Sequence, residues 1–88
     1  MDVKLYARRQ VQALDAVLKR ERLSAALVAT IQGPLTLTYR LRVSNPTKQA
    51  IGQLLGLDTA LQAALMVESV RIAQVSGLIE IQIPSPAP

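Results

Sequence analysis

Basic side chains are concentrated in the first half of this chain, where they could bind an anion. Residues 1–42 carry eight Lys and Arg against three Asp and Glu, whereas residues 43–88 carry two against three. The two halves therefore have net charges of +5 and −1. Because opposite charges steer association, an anionic partner should approach the first half of the chain.

The residue types that catalysis or metal binding requires are scarce. The chain has no His and no Cys, which removes the commonest acid–base catalyst, the thiolate ligands of metals and any disulfide. Its serines have no His to act as a base, and Glu68 and Glu80 fall on different predicted elements. The sequence also lacks a glycine-rich phosphate loop. We therefore expect no catalytic residues, no metal site and no cofactor, and we predict that the protein is not an enzyme.

The length and composition predict one small domain with an aliphatic core. Folding of an 88-residue chain buries only about 60–65% of the surface of the unfolded chain, so association with copies or other proteins is expected. Phe and Trp are absent, and only Tyr6 and Tyr39 could stack on bases. No apolar run approaches the roughly 18 residues that cross a bilayer. We therefore expect no membrane insertion and a cytoplasmic location.

Residues 3–23 have the periodicity of an amphipathic helix, with Asp2 as its predicted N-cap. The apolar face consists of Val3, Ala7, Val11, Leu14, Val17 and Leu18. The polar face consists of Lys4, Arg8, Gln12, Asp15, Lys19 and Arg22. On this face Asp15 and Lys19 have the spacing of an ion pair. The polar face either binds phosphate groups or is the solvated outside of the helix, and the sequence leaves both interpretations open.

The segment Ala26–Val43 is predicted to form a β-hairpin that turns at Gly33-Pro34. In its first strand, alternation places Leu27, Ala29 and Ile31 on one face. In its second strand, alternation places Arg40 and Arg42 away from the core. The face that carries these two arginines either binds a partner or only keeps the sheet soluble.

The second half repeats the pattern of helical residues followed by a hairpin. Asn45 as cap and Pro46 at the first helical position predict a helix that stops before Gly56, and Asp58 or its neighbour begins a further helix. The apolar stripe of this further helix consists of Leu57, Leu61, Ala64 and Leu65. The last hairpin is predicted to comprise Val70–Gln74, a turn near Ser76-Gly77, and Leu78–Ile83.

This order of elements, α-β-β-α-β-β, predicts a two-layer α+β fold. We expect one four-stranded, largely antiparallel sheet with the helices packed on one face. Residues 1–84 would form this single domain. Prolines at positions 84, 86 and 88 end the last strand, so residues 85–88 are a Pro-rich tail or the start of a linker.

Three segments together carry a more specific pattern. They are the run from Leu23-Ser-Ala-Ala-Leu27 to Gly33-Pro34 and Tyr39, the Ala- and Leu-rich helix followed by Ser69-Val70-Arg71-Ile72, and the close Ile79-Glu80-Ile81-Gln82-Ile83-Pro84. In this order, over roughly residues 14–84, the chain resembles the α domain that precedes the motor in FtsK/SpoIIIE-type DNA translocases.

Several positions depart from that family's pattern. Arg22 stands at the turn glycine that follows the first helix, and Thr38 replaces the arginine before the aromatic residue. The turn Val75-Ser76-Gly77 lacks the lysine of the family's Pro-Gly-Lys, and Ser85 replaces the closing Asn. The loss of two cationic positions argues against DNA contact by those loops.

The resemblance implies a non-catalytic accessory and oligomerisation domain that helps to couple an ATP-driven motor to DNA in chromosome segregation and cell division. The implied partners are copies of the chain in a dimer or ring, double-stranded DNA bound without regard to sequence, and a RecA-like ATPase motor domain in cis or in trans. Arg71 matches a family position at a strand entrance, which implies a structural role. The residues assigned to DNA contact are Arg8, Lys19, Arg22, Arg40 and Arg42.

A second hypothesis keeps this fold but involves no DNA. The chain would then be a standalone protein-interaction module that forms a dimer or ring through exposed strand edges and helix faces. Salt-dependent binding of duplex DNA would distinguish the two hypotheses.

Overall fold

A computed structural model describes residues 3–85, in which three helices and four strands follow the predicted order. The Asp2 cap and the prolines at 86 and 88 lie outside these residues. The elements are α1 (Val3–Arg20), β1 (Ala25–Gln32), β2 (Thr36–Val43), α2 (Lys48–Leu55), α3 (Asp58–Leu65), β3 (Arg71–Val75) and β4 (Leu78–Pro84).

The four strands form one antiparallel sheet in the order β1-β2-β4-β3, which confirms the predicted α+β fold. The two central strands, β2 and β4, place Tyr39 opposite Ile81 and Arg40 opposite Glu80. β1 and β3 are the edge strands. Each of the two predicted hairpins therefore supplies one central strand and one edge strand.

The core lies between one face of the sheet and the helices, and its buried apolar side chains are aliphatic except for Tyr39. α1 packs against α3, and α2 packs against β3. The opposite side of the sheet, which we call the open face, carries Thr38, Arg40, Arg42, Glu80 and Gln82. The buried apolar side chains of the helices and their flanking residues are Leu14, Val17, Leu18, Leu23, Leu54, Leu57, Leu61 and Leu65, and those of the sheet are Leu37, Tyr39, Leu41, Val43, Ile79, Ile81 and Ile83.

A β-bulge at Val28 changes which side chains of β1 face the helices. Leu27 pairs with Leu41, but the next pairs are Ala29 with Arg40 and Ile31 with Thr38. The prediction that Leu27, Ala29 and Ile31 share one face is therefore wrong. The extra residue of a bulge shifts the alternation by one, so Ala29 and Ile31 lie on the open face.

The N-terminus of α2 also differs from the prediction. The cap is Thr47 rather than Asn45, because the Thr47 hydroxyl accepts a hydrogen bond from the backbone N–H of Ala50 at 3.1 Å. Satisfying a free N–H in the first turn is what defines an N-cap side chain. Pro46 therefore lies before the helix instead of at its first position, whereas the predicted end before Gly56 is confirmed.

α1 ends at Arg20, three residues before the predicted end, in a left-handed turn. Arg22 has φ = 58°, its N–H donates to the carbonyl of Lys19 at 3.1 Å, and the N–H of Leu23 donates to the carbonyl of Leu18 at 2.8 Å. These two bonds form a Schellman motif, which satisfies carbonyls at the helix end. The motif turns Leu23 back into the core, and β1 can begin two residues later.

The second hairpin closes with the two-residue turn predicted at Ser76 and Gly77. Both residues have positive φ, 50° and 80°, and Val75 pairs with Leu78 on either side of them. This combination is a type I′ turn, whose twist matches that of antiparallel strands.

Candidate functional site

Two of the predicted cationic contacts lie together on the open face. As predicted, Arg40 and Arg42 point away from the core, because their neighbours in β2 face the helices. Arg71, the first residue of β3, is exposed on the same face and pairs across the sheet with Gln82. The Arg71 side chain makes no ion pair or hydrogen bond within residues 3–85. No such contact therefore supports the structural role that the resemblance implies for this residue. The open face therefore carries three arginines from two strands.

Arg40 is held by a carboxylate. Its Nε lies 2.6 Å from Oε2 of Glu80, its direct partner across β2 and β4. The Glu80 side chain is only 12% exposed, whereas that of Arg40 is 42% exposed. A charge-assisted bond of this length fixes the guanidinium and offsets its charge. Arg42 and Arg71 have no such carboxylate partner within residues 3–85, so their charges on this face are not offset.

Two further predicted contacts, Arg8 and Lys19, lie on α1, on the helical side of the sheet. Lys19 Nζ is 3.0 Å from Oδ2 of Asp15, which confirms the predicted i,i+4 pair. Both side chains are exposed, so this pair contributes only about 0.3–0.5 kcal/mol. Arg8 is exposed and makes no ion pair within residues 3–85.

The fifth predicted contact, Arg22, lies in the left-handed turn after α1, beside Asn45 and Thr47. The structure thus divides the five residues among the open face, the helical layer and one end of the sheet. Because the sheet separates Arg40 and Arg42 from Arg8 and Lys19, one straight duplex can lie against only one of these surfaces.

A buried polar cluster between α1, α3 and β2 was missed by sequence reasoning. Gln10 Nε2 donates to the carbonyl of Leu65 at 2.7 Å and to the hydroxyl of Tyr6 at 3.1 Å. Gln10 Oε1 and the Tyr39 hydroxyl are buried without a hydrogen-bond partner among residues 3–85. Burial raises the pKa of Tyr39 far above its usual value, and nearby Tyr6 acts in the same direction. The only signal in the sequence is that Gln10 lies four residues from Tyr6 and from Leu14 on the helix.

A groove of about 550 Å³ separates the first half of α1 from β1 and β2. We call it the α1–β1 groove. Its walls are largely apolar, with Arg8 and Lys4 on the helix side and no acidic residue from 3–85 in the lining. The lining residues are Lys4, Ala7, Arg8, Val11, Gln12, Leu27, Thr30, Gln32 and Leu37.

Comparison with protein families assigns this fold. A family model described as the FtsK alpha domain matches residues 2–85. The chain belongs to the FtsK alpha domain family. A comparison with curated proteins gives no match.

Membership in the FtsK alpha domain family makes this chain a small accessory domain of the FtsK-type translocases, distinct from the motor. Residues 3–85 contain no group of three or more His, Cys, Asp or Glu that could hold a metal ion. Across the same stretch, no helix is both long enough and apolar enough to cross a membrane.

Two positions of the family's pattern can be compared with the structure of this FtsK alpha domain. Arg22, which stands at the family's turn glycine, has the positive φ that glycine adopts without strain. Tyr39, at the family's aromatic position, is fully buried. Arg22 therefore has the backbone conformation of the family's glycine although it is not a glycine. Tyr39 is part of the core and is not exposed for stacking on bases.

Proposed function

We propose that this FtsK alpha domain helps to couple an ATP-driven, RecA-like motor domain to double-stranded DNA and contacts the duplex through the open face. The proposal is supported by the three arginines on that face, where Glu80 is the only acidic residue among residues 3–85 to offset them. Arg42 and Arg71 would contact phosphates directly, while Arg40 is held against Glu80. Such contacts are indifferent to base sequence, as a translocating duplex requires.

A salt titration with paired variants tests this contact. Binding of a labelled duplex would be measured by fluorescence anisotropy with two unrelated sequences. Replacing both Arg42 and Arg71 with Gln should reduce the slope of log K against log salt by about 2, since each phosphate contact contributes about 0.9. A single Lys48→Gln variant, which removes one positive charge from α2, is the control for net charge and should leave the slope nearly unchanged.

Three results would contradict the proposal. They are no affinity for duplex DNA at low salt, affinity that survives about 0.3 M salt unchanged, and an effect of Lys48→Gln as large per charge as that of the open-face variant. A preference of tenfold or more between the two duplex sequences would also contradict it, because phosphate contacts carry no sequence information.

A module that associates with itself and does not bind DNA is the second candidate. Several large apolar side chains lie on the surface, including Met66 at 90% and Leu35 at 80% exposure, and small domains often cover such residues by association. Light scattering at rising protein concentration would detect a dimer or ring. Self-association combined with no salt-sensitive DNA binding would favour this candidate over the first.

A further inference from the structure

The outer edge of β1 is an unprotected strand edge. Within residues 3–85, β1 pairs only with β2, so its other edge has backbone N–H and C=O groups that no strand uses. Its eight residues include no charged side chain and no proline, and Leu27, Val28 and Ile31 are 39–47% exposed. Proteins normally protect such edges with charge, proline or short length. The other edge strand, β3, has only five residues, begins with Arg71 and packs against α2.

The α1–β1 groove runs beside this edge. The four residues 21–24 connect α1 to β1, so the two elements run in opposite directions and the start of α1 lies near the end of β1. The groove is lined by Val11 and Arg8 from α1 and by Leu27, Thr30 and Gln32 from β1. An exposed strand edge beside a helix-walled apolar groove is the arrangement in which PDZ domains bind extended peptides as an added strand.

We propose that an extended segment of another protein, with alternating apolar residues and one acidic residue, adds to β1 as a fifth strand. Its backbone would pair with the free edge of β1. Alternate side chains would enter the α1–β1 groove, with apolar ones against Leu27 and Val11 and a carboxylate against the guanidinium of Arg8. Among residues 3–85 the groove lining carries Arg8 and no acidic group, which favours an acidic partner.

The residues of the chain itself favour a different protein over a second copy. A second copy's β1 could pair with this edge, but its sequence contains no acidic residue to meet Arg8. Among residues 3–85, Glu68 and Glu80 lie near apolar residues in non-helical stretches, but Val67 and Val70 beside Glu68 pack against the core. Glu80 is paired with Arg40 in a central strand. This surface lies apart from the open face, so the inference does not depend on DNA binding.

A peptide titration followed by NMR tests the inference. The probe is the capped peptide TVTVTETV, in which Val and Glu alternate with Thr, added to about 2 mM so that weak binding is visible. One matched peptide has Gln in place of Glu. The other has Pro in place of the Thr that precedes Glu, which removes a backbone hydrogen-bond donor. We expect amide shifts in β1 and α1, and binding of the Glu peptide about tenfold tighter than that of either matched peptide.

Two protein variants separate the groove from the charge of the helix. Arg8→Gln should reduce the preference for the Glu peptide to less than about twofold, because the charge-assisted bond is lost. Arg9→Gln removes the same charge from the next position, outside the groove, and should keep that preference. Both residues are exposed on α1, so neither change disturbs the core.

Several results would overturn the inference. No binding of the Glu peptide, shifts confined to β3 or the open face, or equal effects of Arg8→Gln and Arg9→Gln would each do so. Concentration-dependent shifts in β1 without peptide would show that a second copy occupies the edge. Displacement of the peptide by duplex DNA with the same dependence on Arg8 would show a nucleic-acid surface instead.

Discussion

Replacing Tyr39 with Phe should stabilise the protein, although it removes a polar group from the aromatic position of the family pattern. The Tyr39 side chain is fully buried, and its hydroxyl has no hydrogen-bond partner within residues 3–85. In the unfolded chain the same hydroxyl bonds to water. Folding therefore gives up that hydration without an equivalent bond in return.

The size of the effect follows from two opposing terms. A buried hydroxyl without a partner costs about 1–3 kcal/mol. Removing it leaves a void of one oxygen atom, which at ~24 cal/mol per Å³ costs only a few tenths of a kcal/mol. We therefore expect Tyr39→Phe to raise the free energy of unfolding by about 1 kcal/mol, equivalent to about 4–8 °C in Tm for a domain of this size.

The same substitution should change the response of stability to alkaline pH. Because burial raises the pKa of Tyr39, the native state keeps this proton above pH ~10, where the unfolded state loses it. The free energy of unfolding then falls as pH rises above about 10, by up to ~1.4 kcal/mol per pH unit for one group, and is unaffected by this group below pH 9. Tyr39→Phe should remove most of that fall. Tyr6, whose pKa burial also raises, accounts for a remaining part.

Urea unfolding followed by circular dichroism at neutral and alkaline pH measures both effects, and Tyr6→Phe is the matched control. The Tyr6 hydroxyl accepts a hydrogen bond from Gln10, so its removal should destabilise the protein by about 1 kcal/mol. The two Tyr→Phe changes should thus have opposite signs. A loss of 1 kcal/mol or more in Tyr39→Phe at neutral pH would refute the reasoning, since it would mean that the hydroxyl has a strong partner.

Three other substitutions test single features. Arg22→Gly should raise the free energy of unfolding by about 0.5–1 kcal/mol by relieving positive φ, and Arg22→Lys, which keeps a Cβ and the charge, should not change it; equal effects of the two substitutions would contradict this origin. Thr47→Ala should lower it by about 1 kcal/mol, because the N–H of Ala50 loses its acceptor, and Thr47→Ser should restore most of the loss in thermal unfolding. Glu80→Gln should lower it by about 1 kcal/mol, less at high salt, because the bond to half-exposed Arg40 loses its charge; a loss that salt leaves unchanged would contradict this origin.

The central strands could be predicted from the sequence because one of their faces is buried. In β2, Leu37, Tyr39 and Leu41 face the helices and the residues between them face outward, which is the period-two pattern of a half-buried strand. That pattern was enough to place Arg40 and Arg42 on the open face. It could not reveal Glu80 opposite Arg40, because the pairing of β2 with β4 joins the two hairpins and their register is not local.

The helix ends were harder to predict, because several residues have the right chemistry. Asn45 and Thr47 are both good N-cap residues, and only the path of the chain out of β2 decides that the Thr47 side chain faces the free N–H groups. At the end of α1, Arg22 has the left-handed conformation that usually requires glycine. Because no glycine marks this helix end in the sequence, the periodicity predicted a helix that is too long. Gln10 was missed because a polar residue at a core position reads as an interruption of the apolar face.

The bulge at Val28 connects the failed prediction for β1 with both proposed surfaces. Had alternation continued, Ala29 and Ile31 would follow Leu27 onto the helical face, and the isoleucine side chain would occupy the space beneath α1. Instead Thr30 and Gln32 take those positions, and the α1–β1 groove remains beside Arg8. On the other side, small Ala29 lies directly opposite Arg40, so this arginine has no bulky partner directly across from it on β1. One extra residue in an edge strand thus determines which side chains of β1 lie on each face of the sheet.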